Sequence, residues 1–233
     1  TIDLNGKSIT WNYENSGSLP TTPAMFSING ANVVLTGDGT IDVEAGNNGS
    51  YGIDIINGGS LIIESGTYTG ATSAVQVSDG QLKIYGGTFK QAATIASIDP
   101  DYAKYVINCY DSAYKTGDAE IAVYGGTFVG FDPADDPEGE GTSYVPSGII
   151  ATTTTDAVTY RPEADVSTGV AEVNGIYFDS LGKALDAALN GDTVTLLKDI
   201  NVSGYILINK NVTIDLGGNC VTGTGPYVFA STS

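Results

Sequence analysis

Along the first 130 residues, apolar and polar positions alternate in short runs broken by glycine. In "LKIYGGTF", residues 82–89, Leu82 and Ile84 fall on one face of an extended strand, and Lys83 and Tyr85 fall on the other. The charge on Lys83 marks that second face as the solvent side. The pattern returns as "IAVYGGTF" at 121–128 and, more loosely, as "LIIESGTY" at 61–68. Leu61, Ile63, Ile121 and Val123 are therefore expected inside, and Tyr124 is expected outside next to Tyr85. A fourth segment, "VVLTGDGTI", ends at Ile41. The four ends, Ile41, Tyr68, Phe89 and Phe128, are separated by 27, 21 and 39 residues.

A second strand-like run precedes each of these segments: "MFSI" at 25–28, "YGIDII" at 51–56, "SAVQVS" at 73–78 and "YVINCY" at 105–110. Between the two runs lie Asn29-Gly30, Asn57-Gly58, Asp79-Gly80 and, as a weaker fourth, Asp111-Ser112. These residue types tolerate a left-handed backbone, so one sharp corner is remade in every unit. Units of roughly 20–30 residues that cannot each close a core, but can stack on one another, predict a solenoid of parallel strands. Tyr68, Phe89 and Phe128 are expected to form an aromatic column inside it.

The carboxy-terminal quarter changes the picture. "TIDLGGNCVT" at 213–222 matches "TIDLNGKSIT" at 1–10 without a gap, and "YVFA" at 227–230 corresponds to "MFSI" at 25–28. Ahead of the second match, Leu181, Ala184, Leu185, Ala188 and Leu189 follow helical spacing. Asp179 or Ser180 is placed to cap the start, and Asn190-Gly191 to stop the helix. This predicts a short amphipathic helix that covers the first coil of a second copy. The organisation read from these matches is β-helix coils over 1–130, an acidic and Thr-rich exit segment and linker over 131–171, and the capping helix with the first strands of a second copy over 172–233. The chain is expected to be a window on a longer tandem array, whose copies associate head-to-tail through their strand edges.

The helix followed by "GDTVTLL", then "NVTIDLGG", then coils carrying "GGTF", resembles the right-handed parallel β-helix proteins of the pectate-lyase-like group. The nearest likeness is to tandem modules in secreted or surface proteins of gut bacteria and in the virion fibres of their phages. The resemblance implies an all-β fold, a right-handed parallel β-helix with one short amphipathic capping helix, and an extracellular, cell-surface or virion location.

Composition narrows the partners. The 233 residues include 31 Gly, 14 Tyr and no His, and 27 acidic residues against 9 basic ones give a net charge of −18. Such a surface repels phosphate backbones and anionic membranes, which argues against nucleic acid as a partner. No apolar run is long enough to span a bilayer, so no membrane insertion is expected. With neither an initiating Met nor a leader, the chain is read as a mature or excised stretch. Cys109 and Cys220 show no metal-ligand spacing and are expected to be small buried hydrophobes.

Candidate chemistry is sparse. The resemblance implies that an enzyme of this fold would be a lyase, with a base beside a uronate, or a hydrolase with clustered aspartates. Here there is no His, and the single Arg161 lies outside the coils. Asp54 and Asp79 are accounted for by strand and turn positions. No cofactor is called for. Calcium is the one metal considered, through Asp132, Asp135, Asp136, Glu138 and Glu140, which lack the alternating pattern of a preformed loop. Outward tyrosines, Tyr85, Tyr124, Tyr51 and Tyr110, with Tyr102, Tyr105 and Tyr114 near the same coils, are candidates for stacking on cell-surface or mucosal glycans. The reading is a non-catalytic structural or adhesive module, with a polysaccharide-degrading lyase or hydrolase as the alternative.

Overall fold

The computed structural model describes residues 1–11, 24–43, 50–92, 105–135, 137 and 142–231. Strands dominate and most of their pairings are parallel, so the chain is all-β in class. It divides into two compact units, Thr1–Val145 with Ala151–Tyr160, and Pro146–Ile150 with Arg161–Ser233. No helix among the described residues is long and apolar enough to cross a membrane.

In the first unit the chain visits three ladders in turn. The first ladder contains β1 (Ile2–Asp3), β4 (Asn32–Thr36), β7 (Gly59–Ile63), β10 (Gly80–Ile84) and β13 (Ala119–Val123). The second contains β2 (Ser8–Trp11), β5 (Thr40–Val43), β8 (Thr67–Gly70), β11 (Thr88–Gln91) and β14 (Gly126–Val129). The third contains β3 (Ala24–Asn29), β6 (Tyr51–Ile56), β9 (Val75–Val77) and β12 (Ile107–Cys109). The first four repeats thus supply three strands each, in keeping with the two or more that alternation marks out.

Register aligns the repeats side chain by side chain. Leu82 lies between Leu61 and Ile121, and Ile84 between Ile63 and Val123. All six are buried, as the alternation predicts. The Tyr68 and Phe89 rings stack at 5.3 Å, and the Phe89 and Phe128 rings at 5.1 Å, with all three fully buried. The predicted aromatic column is present, and Tyr68 satisfies its enclosed hydroxyl by donating to Ser65 O at 2.7 Å. Each Gly of the recurring pair has its own task. A Cβ on Gly86 would lie 2.5 Å from Glu64 O, and one on Gly125 would lie 2.4 Å from Tyr85 O, so the first position has no room for a side chain. Gly87 and Gly126 adopt φ values of 102° and 111°, which a side chain disfavours.

The corners at Asn29-Gly30 and Asn57-Gly58 also stack, with Asn57 Nδ2 donating to Asn29 Oδ1 at 2.9 Å. At the fourth corner the chain departs from expectation. Asp111-Ser112 opens a helix, α1 (Asp111–Thr116), instead of a tight turn. Beyond β14, the segment expected as an exit and linker is shared between the units. β16 (Ala157–Pro162) pairs antiparallel with β14, and β15 (Ile149–Thr153) lies outside β16. Tyr160 meets Phe128 edge-on at 6.3 Å, ending the aromatic column.

In the second unit, β17 (Ala171–Val173) and β18 (Ile176–Phe178) form a hairpin whose Asn174-Gly175 turn has positive φ at both residues. Helix α2 (Leu181–Ala187) buries Leu181, Ala184, Leu185 and Ala187. β19 (Thr193–Leu196) pairs antiparallel with β17 and parallel with β22 (Thr213–Asp215). β20 (Ile200–Val202) pairs with β23 (Val221–Gly223), and β21 (Ile206–Ile208) with β24 (Phe229–Ser231), both parallel.

Candidate functional site

The four candidate tyrosines separate into two pairs. Tyr85 and Tyr124 stack at 5.0 Å, as their equivalent positions require. However, Tyr124 is 0% exposed, and Lys83 and Ala122 on the same side are buried too, so the expected open tyrosine face is corrected. Alternation fixes which side chains share a face but not whether more chain returns over it. Here Val123 N donates to Tyr144 O at 2.9 Å and Gly126 pairs with Tyr160, so returning chain pairs with the backbone just before and just after Tyr124.

Tyr51 and Tyr110 come together with Tyr105, which belongs to the same run as β12. They line a groove of about 500 Å³ with Thr72, Asn108 and Asp111 among its other walls. Tyr51 starts β6 and forms an enclosed wall at 8% exposure, whereas Tyr110 precedes α1 and is 52% exposed. Hydrogen bonds to the neighbouring repeat hold the walls. Ser73 Oγ donates to Tyr105 O at 2.7 Å, Ala74 N donates to Val106 O at 2.8 Å, and Asn108 Nδ2 donates to Gln76 Oε1 at 2.9 Å. Tyr144 OH contacts Cys109 Sγ at 3.7 Å beneath them. The Thr72 side chain is 7% exposed, and its Oγ1 has no hydrogen-bond partner among the described residues.

A second aromatic pair lies in the other unit and is not among the tyrosines that the sequence singles out. Tyr205 and Tyr227, both about half exposed, approach to 5.6 Å, and Tyr205 borders a separate groove with Asp199 and Asn201.

The acids behave as structural groups where they are described. Asp132 Oδ1 accepts from Ala134 N at 2.9 Å and from the Tyr160 hydroxyl. Burial, and then the Asp132 carboxylate, push the Tyr160 hydroxyl above the usual phenol range. Asp135 is described nearby, whereas Asp136, Glu138 and Glu140 lie outside the described residues, as does Tyr102. Among the described residues no three acids, cysteines or histidines gather as a metal site. Burial raises the Asp54 carboxyl above the usual range, partly offset by Ser78 Oγ, which donates to it at 2.8 Å. Of the two cysteines, Cys109 is buried as expected, but Cys220, just before β23, is exposed, which corrects the expectation for it.

No protein-family model matches the chain, and comparison with curated proteins and with solved structures finds no match.

Proposed function

We propose that the chain is a repeat module of a right-handed parallel β-helix of the pectate-lyase-like kind. It works outside the cell, on a bacterial surface or a virion fibre, as a non-catalytic structural and adhesive element whose copies stack head-to-tail. One observation carries this reading. The motif "TIDL" forms β1 and again β22, and the two strands use opposite edges. Ile2 of β1 aligns with Leu35 of the strand that follows it, while Ile214, its counterpart in β22, aligns with Val194 of the strand that precedes it. A strand of this sequence therefore accepts parallel partners on either side, which is what stacking of copies requires.

Sedimentation velocity across a wide concentration range tests the proposal. Self-association is expected, and it should be lost in Ile9→Lys and in Leu216→Lys, which place a charge on exposed apolar positions at the two ends of the repeat. A chain that stays monomeric at high concentration would overturn the stacking. Release of product from uronate polymers, abolished by Asp54→Asn, would overturn the non-catalytic reading.

A further inference from the structure

We infer that Asn5-Gly6, the corner between β1 and β2, is a self-modification site. Its asparagine deamidates through a cyclic imide in the folded protein, ahead of the other described Asn-Gly pairs.

Asn-Gly is the dipeptide in which this chemistry is least hindered, because glycine sets no side chain beside the attacking nitrogen. Such pairs start at Asn5, Asn29, Asn57, Asn174 and Asn190, and all of these asparagines are exposed; Asn48-Gly49 lies outside the described residues. Sequence and exposure therefore do not rank them. The glycine N–H does, since that nitrogen is the nucleophile and any hydrogen bond it makes must be released before it attacks. Gly30 N donates to Ile56 O at 3.0 Å, and Gly191 N donates to Asn211 O at 2.7 Å. Gly175 N donates to the carboxylate Oε1 of Glu172 at 2.7 Å. Gly6 N and Gly58 N have no partner among the described residues. Asn5, Asn57 and Asn174 share a left-handed backbone, with φ of 46°, 54° and 51°, so the held amide is what separates Asn174 from Asn5. Asn57 is restrained in another way, because its Nδ2, the leaving group, donates to Asn29 Oδ1 at 2.9 Å. Among the described pairs, Asn5-Gly6 alone has neither the nucleophile nor the leaving group engaged.

In the reaction the Gly6 nitrogen bonds to Cγ of Asn5, the Cγ–Nδ2 bond breaks, and ammonia leaves with the proton of the Gly6 amide. Water then opens the imide at either carbonyl. One opening gives aspartate, and the other gives isoaspartate, whose main chain is one atom longer. The fold has little slack for that atom. On either side of the corner Leu4 N donates to Thr36 O at 2.8 Å and Thr40 N donates to Lys7 O at 2.9 Å, and a Cβ on Gly37 would lie 2.8 Å from Asn5 N. Isoaspartate at this position therefore loosens β1 and β2. That weakens stacking, a consequence that rests on the module reading above, whereas the deamidation does not. The second occurrence of the motif, "TIDLGG", has Gly217 in this place with φ of 57°, and so keeps the corner without the chemistry.

The whole chain would be aged in mildly alkaline buffer, native and in urea, and each asparagine followed by mass spectrometry of fragmented peptides. In the native protein Asn5 should convert about fivefold or more faster than Asn29 and Asn190, the cost of releasing one hydrogen bond. Its lead over Asn174 should be larger, because a charged group holds that amide. In urea the rates should converge, since the bonds that separate them are gone. Asn29→Ala should raise the Asn57 rate towards that of Asn5, and an unmoved rate would overturn the role of the leaving-group bond. A native order led by Asn29, Asn57, Asn174 or Asn190, or no native product at Asn5 while the urea sample converts, would overturn the inference. An order that persists in urea would assign the selectivity to local sequence and overturn it too. Sedimentation of aged against fresh protein reads the consequence: chains carrying isoaspartate should associate less. Fresh chains that fail to associate would count against the stacking alone and leave the mass result standing.

Discussion

Phe89 sits between Tyr68 and Phe128 with no exposure, so its removal leaves a void that stacked backbones on both sides cannot collapse to fill. Phe89→Ala should cost about 3–5 kcal/mol in urea denaturation. Tyr124→Ala should cost a comparable amount, because Tyr124 is as buried as Phe89 despite lying on the opposite face of its strand. Tyr110→Ala should stay within about 0.5 kcal/mol, since that ring is half in water. A small loss at Tyr124 would restore the outward assignment that alternation suggests. At this scale the sequence marks residue type and face, and the same two tyrosines show the limit. Tyr85, Tyr124, Tyr51 and Tyr110 all read as outward in sequence, yet Tyr124 and Tyr51 are buried, Tyr85 is intermediate and Tyr110 is half exposed.

Among the elements, α2 shows how little local sequence decides alone. A helix of seven residues has too few turns to stand without tertiary support. Its start is legible, because Ser180 Oγ accepts from Lys183 N at 3.2 Å as a side-chain cap. Its end is not where Asn190-Gly191 suggests. Ala188 is already extended, and Leu189 N turns to Asp192 Oδ2 at 2.9 Å. Lys210 Nζ then donates to the carbonyls of Asp186 and Ala188, both at 2.6 Å, satisfying groups that the helix leaves open. Ser180→Ala should cost about 1 kcal/mol, seen as faster amide exchange across 181–189. Exchange in β7, β10 and β13 should not change. A uniform rise across both units would mean that the cap supports more than its own unit.

For the whole molecule, the net charge of −18 is spread over a chain with only 9 basic residues, so self-repulsion opposes the compact state. Raising ionic strength from about 0.01 M to 0.15 M shortens the screening length from about 30 Å to about 8 Å. The melting temperature should rise by about 2–4 °C, the shift expected for roughly 1 kcal/mol in a chain of this size. Head-to-tail association should strengthen over the same range. Stability that falls with salt would show that attractive pairs outweigh the repulsion.

The sequence by itself determined the repeat. Its glycine pairs, Asn-Gly corners and Gly-Thr-aromatic ends are local requirements of backbone geometry and close approach, so they must be rewritten wherever the same bend recurs. It also named Tyr51, Tyr105 and Tyr110, the three tyrosines that line the groove. Tertiary structure alone decided the rest. The third strand of each repeat, the helix at the fourth corner, the burial of Tyr124 and the placing of Thr72 and Asn108 on one groove all depend on segments tens of residues apart. Such contacts carry no local pattern, because the energy that selects them comes from packing between repeats and not from the propensity of any one of them.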